Sequence, residues 1–215
     1  MRQPTETALK GRARRMLEIM SERTRWVYAV PREEGDTHAA ATLEEAGLAC
    51  QERDEAARVT GWGRAGADAT FVLFSNAELD VMLVTAVGEE APEILAKLLD
   101  RTGFYAQTQL LKTALDVRDE EAGKALRTLA HMVVAWDEDW FDLFLLHLAS
   151  PDPIVRHDAV ASVSLAAMVA RDGEPAVRLL EEALSREKFP KLRETIGEAI
   201  AIVRGATGGP VTPTP

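Results

Sequence analysis

Two stretches toward the carboxy-terminal end of the chain repeat one pattern 37 residues apart, Pro153-Ile154-Val155-Arg156 and Pro190-Lys191-Leu192-Arg193. Proline fits the first turn of a helix, where its missing N–H leaves no intrahelical bond unmade, so both stretches mark helix starts. The match continues inward. Val155, Ala159, Val163 and Ala166 correspond at the same offset to Leu192, Ile196, Ile200 and Val203, an apolar stripe at i, i+4, i+8 and i+11 in both copies. A helix face repeated in this way needs a neighbouring copy to cover it.

Each proline-led helix follows another apolar helical stretch, residues 139–149 before the first and 175–185 before the second. Residues 105–117 with 120–135 form a third candidate pair, in which Ala122, Leu126, Leu129 and Val133 make the stripe, and residues 77–87 with 92–99 form a fourth. Within residues 139–149 Trp140, Phe144 and His147 share one face and Phe141, Leu145 and Leu148 the next, the wide apolar arc of a helix buried on two sides.

These residues resemble the HEAT-repeat family and its shorter HEAT-like relatives, best over 138–204 and more weakly over 77–137. Asp152, Val155, Arg156 and Ala159 stand where that family has its turn Asp, its Val-Arg pair and a small residue. The resemblance implies helical hairpins stacked into a curved solenoid, with a ladder of hydrogen bonds between turn Asp and helix Arg. In the second copy Arg193 matches, but Phe189 replaces the Asp. The fold expected is mainly α: an α-α solenoid of three or four HEAT-like hairpins over residues 76–204. Residues 1–30 are expected to precede it as a basic amphipathic helix, then 31–75 as a mixed segment, with a disordered tail over 205–215.

Within that mixed segment, residues 36–58 carry Leu43, Ala46, Cys50 and Ala57 at helical intervals. The β-branched and aromatic runs Ala57-Arg58-Val59-Thr60 and Ala69-Thr70-Phe71-Val72-Leu73-Phe74 follow, and whether they form a β-hairpin stays open. In the head, Leu9, Ala13, Met16, Met20 and Val27 share a helical face opposite Lys10, Arg14, Arg15 and Arg25. Two readings stand for it: packing on the protein's own acidic body, or docking on an acidic partner or anionic surface.

Charge and cysteine content narrow the function classes. Residues 1–32 carry eight basic and three acidic side chains, whereas the whole chain has a formal charge of -10, which disfavours nucleic acid as a partner. A single cysteine, Cys50, closes no intramolecular disulfide and builds no cysteine-based zinc site, and no apolar run is long enough to span a membrane, so a cytoplasmic location is expected.

No motif for chemistry stands up. Gly61-Trp62-Gly63-Arg64-Ala65-Gly66 spells a dinucleotide fingerprint with Asp80 downstream, but a strand-like run follows where the fingerprint needs a helix. His38, His131, His147 and His157 are scattered, and Asp137, Glu138, Asp139 and Asp142 fit the start of a helix better than a calcium loop. Ser150, Ser162 and Ser164 lie in no nucleophile elbow. The reading is therefore a non-enzymatic protein-binding scaffold or adaptor, without cofactor, metal or small-molecule substrate, whose partner is another protein with a basic surface. Its partner-binding residues are expected to be Trp136, Arg156, His157, Arg193 and Glu194, with repeat-to-repeat ion pairing the structural alternative for both arginines. The competing reading, carried by the family resemblance, is a HEAT-like enzyme of the bilin lyase or alkylbase DNA glycosylase kind.

Overall fold

The computed structural model describes residues 25–66, 68–117 and 121–207. They divide into two compact units between Phe104 and Tyr105.

The first unit is built on a five-stranded antiparallel sheet. Its elements are β1 (Arg25–Pro31), α1 (Arg32–Glu45), β2 (Ala49–Asp54), β3 (Val59–Gly63), β4 (Thr70–Asn76), β5 (Val81–Val87) and α2 (Ala91–Thr102), with strand order β1-β5-β4-β3-β2. The sequence Val81-Met82-Leu83-Val84-Thr85-Ala86-Val87 is a short apolar run rich in β-branched residues, and it takes a central position, buried almost along its length. Turn chemistry closes the β4–β5 hairpin. The Asn76 side chain accepts from the N–H groups of Glu78 (3.0 Å) and Leu79 (3.1 Å), and Asp80 adopts a left-handed φ of 55°. After β5 the chain turns at Gly88, φ 111°, where any Cβ would collide with the Asp68 carbonyl. Helices α1 and α2 cover one sheet face, where Leu43, Leu95 and Leu98 meet Phe71, Leu73, Met82 and Val84. Each such side chain taken fully out of water contributes about 1.5–3 kcal/mol.

The second unit is helical: α3 (Gln107–Leu115), α4 (Ala122–Ala130), α5 (Glu138–Leu148), α6 (Pro153–Ala170), α7 (Glu174–Arg186) and α8 (Pro190–Thr207). Consecutive helices pair as α3 with α4, α5 with α6 and α7 with α8, while α6 also packs on both α4 and α8. The two proline-led helices are therefore neighbours. Ala159, Val163 and Ala166 of α6 and Leu192, Ile196, Ile200 and Val203 of α8 enter one core with Leu126, Leu129, Phe144 and Leu179. Helix α6 has the length and mean hydropathy, 1.2, of a membrane span. Its packing against α4, α5, α7 and α8 accounts for that composition.

The expectation of a mainly α chain, an α-α solenoid of HEAT-like hairpins, is overturned by the sheet. The architecture is mixed α and β. Residues 77–87, read as the first helix of a fourth pair, contain β5 instead, because seven apolar or β-branched residues bounded by Asp80 and Gly88 satisfy a buried strand better than an amphipathic helix. Val27, placed on the face of a head helix, lies in β1 opposite Thr85. Helix α1 stops at Glu45, and Cys50 belongs to edge strand β2 rather than to a helix running to residue 58. The two runs whose pairing stayed open are joined in β3 and β4, with Val59 opposite Phe74 and Trp62 opposite Phe71. Residues 1–24 of the head and 208–215 of the tail lie outside the described residues.

Candidate functional site

Helix α5 begins at an extended residue, Asp137, whose Oδ1 accepts from the Trp140 N–H at 3.0 Å. This cap satisfies one of the N–H groups a helix start leaves open, and Glu138 and Asp139 in the first turn complement the helix dipole. Beside it, α6 terminates in the left-handed Arg171, φ 58°, and Asp172 Oδ1 accepts from the Glu174 N–H at 3.2 Å at the entry to α7. Trp136 fastens these two features together. Its Nε1–H donates to the Asp172 carbonyl at 3.0 Å, and its ring lies against Phe144 with centroids 5.6 Å apart.

Between them runs a groove of about 590 Å³, lined by Trp136, Asp137, Glu138, Phe141, Asp142, Asp172, Pro175 and Arg178. Four carboxylates surround two aromatic rings and one guanidinium. The Arg178 Cζ sits 5.9 Å from the centroid of the half-buried Phe141 ring, within cation–π range. Trp136 is also half-buried, so an indole of fixed orientation, held by a hydrogen bond and a ring contact, forms part of the wall. Such a rigid amphipathic ring loses little conformational freedom when a partner covers it.

Arg156 and Arg193 belong elsewhere. Arg156 forks onto Glu187, Nε to Oε2 at 2.7 Å and Nη2 to Oε1 at 3.1 Å, and its Nη1 donates to the carbonyls of Ser150 (2.9 Å) and Pro151 (3.0 Å). Glu187 also accepts from the N–H groups of Lys188 and Phe189. The Arg156 guanidinium holds the Glu187 carboxyl below the usual carboxylate range, against the opposing effect of burial. The Arg193 side chain reaches the same turn, its Nη1 donating to the backbone carbonyls of Leu184 (2.7 Å) and Glu187 (2.8 Å). This clamp lies at the start of α6, whereas Trp136 meets Asp172 beyond the end of that helix. His157 and Glu194 are exposed, the former 3.7 Å from Asp158. Of the five residues proposed from sequence, the structure places Trp136 in the groove, puts both arginines in the clamp and brings His157 and Glu194 to neither.

The histidines, serines and glycine-rich motif have structural surroundings. His147, 1 % exposed, donates from Nε2 to the Ala114 carbonyl at 2.6 Å. Burial lowers the pKa of His147, and pushes that of His131 down to about 4. The hydroxyls of Ser162 and Ser164 donate to carbonyls one turn back in α6, and Ser150 Oγ accepts from the Asp152 N–H. The glycine-rich motif ends β3 and leads to strand β4 rather than to a helix, and Asp80 is engaged by Arg32 at 2.9 Å. Among the described residues no three His, Cys, Asp or Glu side chains group as a metal site.

Sequence reasoning placed Trp136 beside its carboxylates but missed Asp172, Pro175 and Arg178, which reach the groove only through the reversal after α6. Phe141, on the arc expected to be buried, packs against the core and also lines the groove. No family model, curated protein or solved structure matches the chain.

Proposed function

We propose that the protein is a docking adaptor, acting by binding rather than by turnover, and that its second unit receives a basic segment of another protein in the Trp136 groove. One observation carries this reading: a tryptophan pinned through its N–H lies in a groove with four carboxylates, none of them in an ion pair among the described residues. A positively charged segment would find there an aromatic anchor and charge complementarity, which favour affinity and encounter rate respectively. The clamp at the far end of α6 supports it by holding the α5–α6 and α7–α8 pairs in one arrangement. Such a scaffold keeps the groove shaped before its occupant arrives.

The test is binding of a fluorescein-labelled basic peptide to the full chain, followed by anisotropy over a range of salt concentrations. Trp136→Ala is expected to weaken binding by about thirtyfold, as the loss of a central aromatic anchor does. Because that change also removes a ring contact, the double variant Glu138→Gln/Asp142→Asn serves as a partner measurement on exposed side chains. It should weaken binding severalfold and flatten the salt dependence. Unchanged binding in both variants, with native thermal midpoints, would sink the proposal.

A further inference from the structure

The two aromatic walls of the groove differ in what already covers them. Trp136 is braced from behind by Phe144 and spends its N–H on the Asp172 carbonyl, which leaves ring surface facing the groove. Phe141 is covered by the protein's own Arg178. That guanidinium is exposed and makes no ion pair among the described residues, although Asp137, Glu138, Asp142 and Asp172 line the same groove. Its placement over the ring is therefore held by the ring quadrupole and by solvent, a weak and reversible attachment.

A guanidinium in this position is what an arginine from a partner would present. Planarity, weak hydration and a fork of donors suit Arg to stack on an aromatic face while reaching carboxylates, whereas the compact, strongly hydrated ammonium of Lys gains less there. The acceptors are in place. Asp137 and Asp172 each commit Oδ1 to a backbone N–H, and each has a second carboxylate oxygen for an incoming donor.

Resting on the docking role of this groove, we infer that Arg178 is a resident competitor: it occupies the subsite for a partner's guanidinium, and the groove selects arginine-bearing over lysine-bearing segments. Binding then exchanges one cation for another over Phe141. The displaced Arg178 side chain returns to water, where its flexible stem and full hydration make release cheap.

The experiment compares the full-length protein with Arg178→Ala, using a short Gly/Ser peptide that carries arginines and its counterpart with lysines, both read by fluorescence anisotropy at low and physiological salt. Arg178→Ala is expected to bind the arginine peptide about fivefold more tightly than the unmodified protein, with a smaller gain for the lysine peptide. Thermal midpoints should agree closely, since the side chain is exposed. Weaker or unchanged binding of the arginine peptide by Arg178→Ala overturns the competitor role, and equal affinity for the two peptides overturns the arginine preference. Trp136→Ala separates the levels. If it loses binding while Arg178→Ala is neutral, the docking groove stands and the competitor fails; if neither the unmodified protein nor Arg178→Ala binds either peptide, both fall.

Discussion

At the start of α6, Glu187 collects both arms of Arg156 and two backbone N–H groups, and its side chain is 5 % exposed. At the far end, four carboxylates and Arg178 face one groove, and the partners of Asp137 and Asp172 there are backbone N–H groups at helix starts rather than cations. The same residue types thus serve two purposes within one helix length. Where every acceptor is filled, charge fixes how successive helix pairs meet; where acceptors remain open, charge is available to something outside the fold.

The contrast breaks most sharply at Glu187. Replacing it by Ala leaves the Arg156 guanidinium, 19 % exposed, without its carboxylate, and should lower stability by about 3 kcal/mol in urea denaturation. A loss below about 0.5 kcal/mol would show that the clamp is no stronger than a surface pair.

Acid should reveal the clamp in a second, smaller effect. The Glu187 carboxyl is held below its ordinary value, so its contribution is complete above about pH 4.3 and disappears as pH falls through the lowered value. Histidine acts earlier. The unfolded chain protonates His131 near 6.5 while the folded chain resists to about 4, so stability falls as pH drops between those values, and the depressed His147 works in the same direction. His131→Gln should flatten the upper part of that decline, measured as the denaturation midpoint against pH; an unaltered slope would show that other groups govern it. The smallest effects belong to the exposed helix positions. His157→Ala and Glu194→Ala should each change stability by less than about 0.5 kcal/mol and leave peptide binding in the groove unaltered. A clear loss of binding in either would move the docking surface onto the outer faces of α6 and α8.

What the sequence could convey followed the range of the interactions. The prolines at 153 and 190 act within one helical turn, and α6 and α8 begin there. Asp137 caps locally and Trp136 lies one residue before it, so both were visible as a group. The sheet was not. Val81 to Val87 became a strand because β1 and β4 flank it, with Val84 paired to both Tyr28 and Leu73, and β1 is separated from it in the chain by α1 and three strands. A short apolar run carries the same residues whether a helix or a sheet buries it, so periodicity alone gave a helix. The groove shows the same limit. Phe141 and Arg178 are 37 positions apart, and nothing local to either marks their contact.

The bond from the Trp136 indole to the Asp172 carbonyl makes the proposed docking surface depend on a turn that belongs to the following helix pair. Fraying of α7 and α8 would dismantle that wall before the rest of the core opened, and a protease acting on the frayed form would remove the surface first. An occupant seated in the groove would favour the closed form by mass action, and on the proposed function the lifetime of the carboxy-terminal helices in a cell would then depend on how much partner is present.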